Sequence, residues 1–545
     1  MKVRRGPVLL AVVLGSGIVF LDGTIVNVAL ETIGRDLPST VVGRLEGLTY
    51  VSSGYLAVLA ALLILAGALS DSLGRRRIFR LGLLGFAVTS AICGAAPTME
   101  VLILARLLQG AAGALLVPGA LSIITATFDG EERGRAIGVW AAAVSALTTL
   151  GPLVGGFLVQ TISWRAAFFV NLPLIAIALV ALRAVPESRN EDAAGGLDWQ
   201  GAVVAVVAIG GLAFGATRGQ QQDWQDPLAF AALGIGAVAL VAFPVLMAVR
   251  PNPLVPLGIF RSRNFSVVNL STLVIYGALY VSITFQTLFL QGTLGYTPLA
   301  SGFLGIPASL MLAIFSTPAG RLAARYGARP FMVVGPLLMA TGLFWISRIP
   351  PTSAAWAAQP DSVTSLVPPV DFFVDVLPAT LLAGVGISLI VAPLTTALMA
   401  SVPVARAGLG SAINNAVSRV GAPLVSAALF IAITATFTPS LAAKAPSYDR
   451  GSAPFTTIQP LAPPLPDTPP DLAAAAKAAS TEAFQLAMRV AAGLLVIGAI
   501  VNLVGLERRR SPVASAGDPA ASAGDPAATS GDPAAPDPDP ASRPA

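Results

Sequence analysis

Two ionisable residues stand deep inside long apolar runs of this chain. Asp22 falls within the run 7–30 and Arg106 within the run 99–121. At about 1.5 Å per helical residue, and with the second run entering from the opposite face, their depths agree to about one turn. A charge in hydrocarbon is costly, and its retention marks an ion or proton path. A desolvated aspartate suits proton carrying, because protonation removes the cost of burying its charge. An arginine within reach would hold it ionised until a proton or a ligand competes. The alternative is a permanent structural ion pair. The sequence contains no histidine and a single cysteine, Cys93. Near-neutral proton chemistry therefore falls to carboxylates, and no disulfide can form within the chain.

Neutral polar residues cluster around these charges. Thr24, Asn27 and Gln109 lie a turn or less away and are expected to share one polar patch. Asn414, Asn415 and Arg419 form a second cluster inside the run 408–436, with Tyr276 and Gln286 in the run 266–290. These five read either as cavity lining or as hydrogen-bonding contacts between helices. A third constellation is Gly67-x-Leu-x-Asp71-x-x-Gly74-Arg75-Arg76-Arg77. It squeezes one carboxylate and three guanidiniums between apolar walls, as a tight loop at a membrane surface would. A fourth is Gly151-Pro152-Leu-Val-Gly155-Gly156. There a proline bends a helix and glycines admit a close neighbour, which suits a hinge or gate.

The elements that position these groups follow from composition. The 545 residues are 55% hydrophobic and 11% charged, with mean hydropathy +0.78. Soluble domains carry about 25% charged residues, so the chain is expected to be an all-α polytopic membrane protein. A membrane helix needs about 20 apolar residues. Fourteen runs qualify: 7–30, 47–69, 78–96, 99–121, 136–159, 166–185, 200–217, 227–249, 266–290, 299–320, 330–347, 374–398, 408–436 and 484–506. Most Lys and Arg residues, including Arg75–Arg77, fall in the gaps on the same side as the N-terminus. By the positive-inside rule both termini are then cytoplasmic, and the first run is an uncleaved helix. The net charge of +5 is accounted for by these gaps and does not imply a nucleic-acid partner.

An internal echo supports duplication. Gly67-x-Leu69 followed by Gly74-Arg75 recurs as Gly320-Arg-Leu322 followed by Gly327-Ala-Arg329, with Ala324 in place of Asp71. Ala143-Val-Ser145 before Pro152-Leu-Val matches Ala416-Val-Ser418 before Pro423-Leu-Val. The expected organisation is a six-helix bundle over 1–185, a two-helix insert over 186–264 and a second six-helix bundle over 265–510. Residues 349–371 and 438–482 read as poorly ordered outer connectors, and the low-complexity residues 511–545 as a disordered cytoplasmic tail.

The motifs resemble those of the major facilitator superfamily, in its fourteen-helix drug:proton antiporter branch. The Gly67–Arg77 stretch is similar to that family's signature loop between helices 2 and 3. Leu21-Asp22-Gly-Thr24-Ile-Val-Asn27-Val-Ala-Leu30 resembles the branch's helix 1 motif, and Arg106-Leu-Leu-Gln109-Gly110-Ala-Ala-Gly113 its helix 4 motif. Gly151–Gly156 resembles the helix 5 antiporter motif, and Trp164-Arg165 with Phe169-Val-Asn171-Leu-Pro173 the opening of helix 6. The chain departs at Glu31, where many relatives have proline, and at Leu147, where the helix 5 motif usually begins with glycine.

The resemblance implies a proton-coupled antiporter of a bacterial inner or plasma membrane, exporting lipophilic or cationic drugs by alternating access. It implies coupling through Asp22 and Arg106, and a gate at Gly151, Pro152, Gly155 and Gly156. Asp71, Gly74, Arg75, Arg76 and Arg77 would form a latch against the start of the thirteenth helix near Gly408. The partners implied are a small-molecule substrate, protons and lipid, in a monomer. The alternatives are an exporter of one endogenous metabolite or natural product, or a symporter. No Gly-x-x-x-x-Gly-Lys-Ser/Thr loop or Cys/His metal cluster is present. Direct ATP coupling, a metal, another cofactor and enzymatic chemistry are therefore not expected.

Overall fold

Long apolar stretches in a chain with few charges satisfy their backbone internally as helices, and a computed structural model of the protein is helical nearly throughout. It describes residues 5–128, 130–189, 198–222, 224–251, 253–402 and 407–507. The expected tail over 511–545 lies outside the described residues. The helices are α1 (Arg5–Asp36), α2 (Arg44–Thr49, a π-helical turn Tyr50–Gly54, and Tyr55–Leu73), α3 (Arg75–Ala95), α4 (Met99–Thr127) and α5 (Gly130–Thr161). Next come α6 (Ala166–Phe169 and Asn171–Leu182), α7 (Trp199–Gln221), α8 (Pro227–Val249) and α9 (Arg263–Leu288 with a π-helical turn Phe289–Leu294). The series ends with α10 (Pro298–Phe303 and Gly305–Tyr326), α11 (Ala328–Ile346), α12 (a π-helical turn Phe372–Val376 and Leu377–Ala400), α13 (Ala407–Lys444) and α14 (Pro470–Gly505). Among the described residues twelve helices are long and apolar enough to cross a membrane. Two shorter apolar stretches, Ala146–Thr161 and Ala166–Leu182, stand where the fifth and sixth spans are expected.

Packing repeats with an offset of eight helices. α1 packs on α4, α5 and α6, and α9 likewise on α12, α13 and α14. α4 packs on α2 and α3, as α12 does on α10 and α11. The repeat reaches the backbone. Gly74 (φ +109°) ends α2 and Gly327 (φ +88°) ends α10, both in a region that a Cβ disfavours. The two sets meet where α5 packs on α10 and α2 on α13.

α7 and α8 form a hairpin held by small residues. An added Cβ on Gly211 would stand 2.9 Å from the Gly236 Cα. α8 leaves Leu228, Val238, Val241 and Val249 exposed, a face suited to lipid. α7 leans on both α2 and α13 and is keyed by charge. Arg218 Nη1 lies 3.7 Å from the buried Glu46 carboxylate of α2, and its Nε donates to Asp226 at 2.9 Å. Asp226 also caps α8 by accepting from the Leu228 N–H. That N–H and Arg218 hold its carboxyl below the usual range.

The two connectors expected to be poorly ordered differ from expectation. α13 continues to Lys444 and α14 begins at Pro470, so much of 438–482 is helix. Leu472, Ala476, Ala479 and Ala483 recur at helical spacing and are buried, and this apolar stripe extends α14 inside a segment whose composition reads as linker. Residues 349–371 are equally organised. Trp356 packs against Phe303 and Phe372, and Asp371 accepts from the Ala354 N–H at 2.7 Å.

Candidate functional site

The site is built on helix breaks as much as on side chains. In α2 the π-helical turn Tyr50–Gly54 loosens the backbone ladder, and the Val51 carbonyl accepts from Arg106 Nε at 3.2 Å. Beyond the turn, Tyr55 places its ring 4.0 Å from the Arg106 guanidinium and donates its hydroxyl to Val19 O at 3.1 Å. Gly110 is required here, since a Cβ would lie 2.6 Å from the Tyr55 carbonyl. The close approach of α4 to α2 aims Arg106 at α1.

There Arg106 Nη1 donates to Asp22 Oδ2 at 2.5 Å and to Gln109 Oε1 at 2.6 Å. Gln109 Nε2 returns to Asp22 Oδ1 at 3.1 Å and reaches Ser90 Oγ at 2.8 Å. Asn171 Nδ2, from the start of the main segment of α6, also donates to Asp22 Oδ1, at 2.9 Å. Asp22, Gln109 and Asn171 are fully buried and Arg106 is 1% exposed. The carboxylate thus accepts from three side chains on α4 and α6. Taking one partner from such a pair is costly, because the other charge stays desolvated.

Beside this network lies a cavity of about 110 Å³, room for several waters. Its walls come from α1, α2, α4, α5, α9 and α13. Thr24, Asn27, Arg106 and Arg419 line it, as do Ser52, Thr148, Tyr280 and Thr284. Asp22 is not on the wall; Arg106 is.

Other expected positions sit differently. Gln109, expected to share the polar patch with Thr24 and Asn27, is consumed by the ion-pair network. Asn414 is buried and donates to Asn269 Oδ1 at 3.2 Å and Thr272 Oγ1 at 3.1 Å, joining α13 to α9. Asn415, Tyr276 and Gln286 are half-buried away from the cavity wall. Tyr276 packs against Tyr280, 6.0 Å between ring centres. Helical spacing turns these positions off the wall of this cavity, and Asn414 and Tyr276 make contacts between and within helices instead.

The glycine motif of α5 meets two neighbours. Gly151 and Gly155 face Thr24 and Ile25 of α1, whereas a Cβ on Gly156 would strike the Pro298 carbonyl of α10. Gly302 of α10 meets the Pro152 carbonyl in return. Leu147, in the place of the usual motif glycine, lies over Gly17 of α1. The space missing on α5 is therefore supplied by α1. More contacts join the two sets at this end. Asn27 accepts from Thr284 at 3.1 Å, Val28 O from Gln291 at 3.0 Å, and Gln160 donates to Ala358 O at 2.8 Å.

The side chain of Asp71 and the segment 403–406 leading into α13 lie outside the described residues. The rest of that motif is tied to the segment after α6. The Arg75 N–H donates to Ser188 O at 2.9 Å, and the Arg76 N–H to Glu187 Oε1 at 3.0 Å. Sequence reasoning missed this Glu187 contact, the partners Ser90 and Val51, and the role of Asn171. Only the motif around Asn171 drew attention to it, and a carbonyl partner leaves no trace in residue type.

Comparison with known proteins settles the family. Residues 12–426 match the profile of the Major Facilitator Superfamily. The chain belongs to this superfamily. It is a multi-pass membrane transporter. It is similar to multidrug resistance protein Stp of Mycobacterium tuberculosis, 34% identical over 79% of this chain and 76% of that one. It is also similar to puromycin resistance protein pur8 of Streptomyces alboniger, 31% identical over 94% of each chain. A bacterial homologue of the human lysosomal transporter Spinster, solved inward-facing, shares the fold with a TM-score of 0.61 at 20% identity, covering 93% of this chain and 97% of that one.

Proposed function

We propose that the protein exports lipophilic drugs or toxic compounds from a bacterial cell in exchange for protons, by alternating access. The observation that carries the reading is the fully buried Asp22–Arg106 pair beside a cavity lined from both helix sets. Resistance-named relatives support the direction, since a transporter protects a cell by lowering its internal concentration of the toxin. Protonating Asp22 cancels the charge that holds Arg106, and Arg106 is itself part of the cavity wall. Coupling then runs through Arg106 and the packing of α1 on α4, with no need for substrate to touch Asp22.

In this reading the bundles over 1–185 and 265–510 rock against each other, with the hairpin over 186–264 riding beside them as a monomer in lipid. The end where α5 meets α10 is the outer gate, both termini are cytoplasmic, and Asp71 with Gly74–Arg77 latches the inner face. The expectation of cationic substrates is not carried forward. The charged side chains on the described cavity wall are both guanidiniums.

The test is efflux from proteoliposomes of a lipophilic fluorescent probe under an imposed pH gradient. Wild type accelerates efflux with the gradient and Asp22→Asn does not. Normal gradient-driven efflux by Asp22→Asn would refute the coupling.

A further inference from the structure

Arg106 and Arg419 share the cavity wall, but they are not alike. Arg106 is matched by Asp22, so that pair carries no net charge into the cavity. Arg419 of α13 is 5% exposed, and among the described residues it has no ion pair and makes no hydrogen bond. Its buried Nε lacks a partner. The Phe20 ring stands 4.9 Å from its guanidinium. A ring quadrupole offsets part of the cost of desolvating a cation but satisfies none of its five N–H donors. Asp22 cannot turn to it, because its oxygens are taken by Arg106, Gln109 and Asn171. Asn414, five residues earlier on α13, is spent on Asn269 and Thr272.

Resting on the export reading, we infer that Arg419 is the receiving group for an acidic oxygen of the substrate, so that the preferred cargo is an amphipathic organic anion. The guanidinium is a planar fork that matches a carboxylate two-to-two and also donates to a phenolate or enolate oxygen. Phe20, Tyr280, Val281 and Ala422 around it offer an apolar bed for the rest of the molecule. A cation entering the same space would meet an unbalanced positive charge at short range in a low-dielectric setting.

The experiment uses three probes on one aromatic skeleton: a carboxylate, its methyl ester, and the trimethylammonium counterpart. Equilibrium binding is measured to the full chain in lipid nanodiscs, without any gradient. The carboxylate should bind at least ~10-fold more tightly than either of the others, as expected for a charge-assisted pair. Arg419→Gln should erase that preference, and Arg419→Lys should retain part of it. If the trimethylammonium probe binds wild type as tightly as the carboxylate, or if a folded Arg419→Gln keeps the preference, the inference fails. The wild-type ranking decides even if Arg419→Gln does not fold. Gradient-driven efflux of a neutral dye, run in parallel, separates the two readings. Efflux without carboxylate preference sinks the acid site alone, whereas carboxylate preference without efflux of any probe sinks the export reading alone.

Discussion

The two helix sets share a packing plan and differ at their polar centres. In α1–α6 the centre is ionic and paired: Asp22 and Arg106 meet directly, and Gln109, Asn171, Ser90 and the Val51 carbonyl add further hydrogen bonds around them. In α9–α14 the centre is neutral where it is satisfied, with Asn414, Asn269 and Thr272 joining two helices, and ionic only where it is unsatisfied, at Arg419. The helix contacts therefore recur between the two sets and the chemistry does not. The first set holds a group that can change charge with a proton. The second holds a fixed charge facing the cavity, so the proposed proton and substrate duties fall on different halves.

That asymmetry can be broken in graded ways. The largest effect is expected from Arg106→Ala, which strands the Asp22 carboxylate. Loss of about 3–5 kcal/mol of stability and of gradient-driven efflux should appear together, by thermal unfolding in detergent and by the proteoliposome assay. Arg106→Lys should not rescue it, since one ammonium cannot serve Asp22, Gln109 and Val51 in the same planar geometry. Stability within about 0.5 kcal/mol of wild type for Arg106→Ala would show that the buried Asp22 does not depend on Arg106 for compensation.

Next comes the seam between the sets. Gly156→Leu forces α5 away from the Pro298 carbonyl and should cost about 1–3 kcal/mol while opening that end of the molecule. Single cysteines near Gln160 report it by their labelling rate. The background is low, because Cys93 is the one native cysteine and is buried. An unchanged labelling rate would count against a gate here.

Asn171→Ala removes one donor from a charged acceptor and should cost about 1–3 kcal/mol, with a shifted pH dependence of efflux as the reading specific to Asp22. The matching cut in the second set, Asn414→Ala, breaks contacts between neutral groups. It should cost about 1 kcal/mol and leave the pH dependence of efflux where it was. Equal pH effects from the two alanines would erase the contrast between the halves.

Much of this was legible in the chain. Asp22 and Arg106 stood out as charges in apolar runs at matching depth, and the structure brings them together. The Gly74 and Gly327 echo survives as two glycines with positive φ at corresponding helix ends. Other features were hidden for identifiable reasons. Gln109, Thr24 and Asn27 looked equivalent by spacing. Rotation about the helix axis decides that Gln109 turns to the ion pair and the other two to the cavity. Proline, alanine and serine made 438–482 look like linker, yet its alanines fall on the buried face of α14. The compensation of Leu147 by Gly17 pairs residues far apart in sequence, and neither signals the other by its type.

By itself the sequence determined that this chain is a bundle of membrane helices, roughly where most of them begin, and which charges are costly enough to matter, because hydrocarbon penalises exposed backbone and unpaired charge residue by residue. Beyond the Asp22–Arg106 pair, tertiary structure alone decided which polar groups meet. Asp22 is closed off behind a guanidinium, while Arg419 is left facing the cavity without a carboxylate. That outcome depends on helix rotation and close approach, through a π-helical turn in α2 and a glycine in α4, and neither is written in the hydropathy of any single segment.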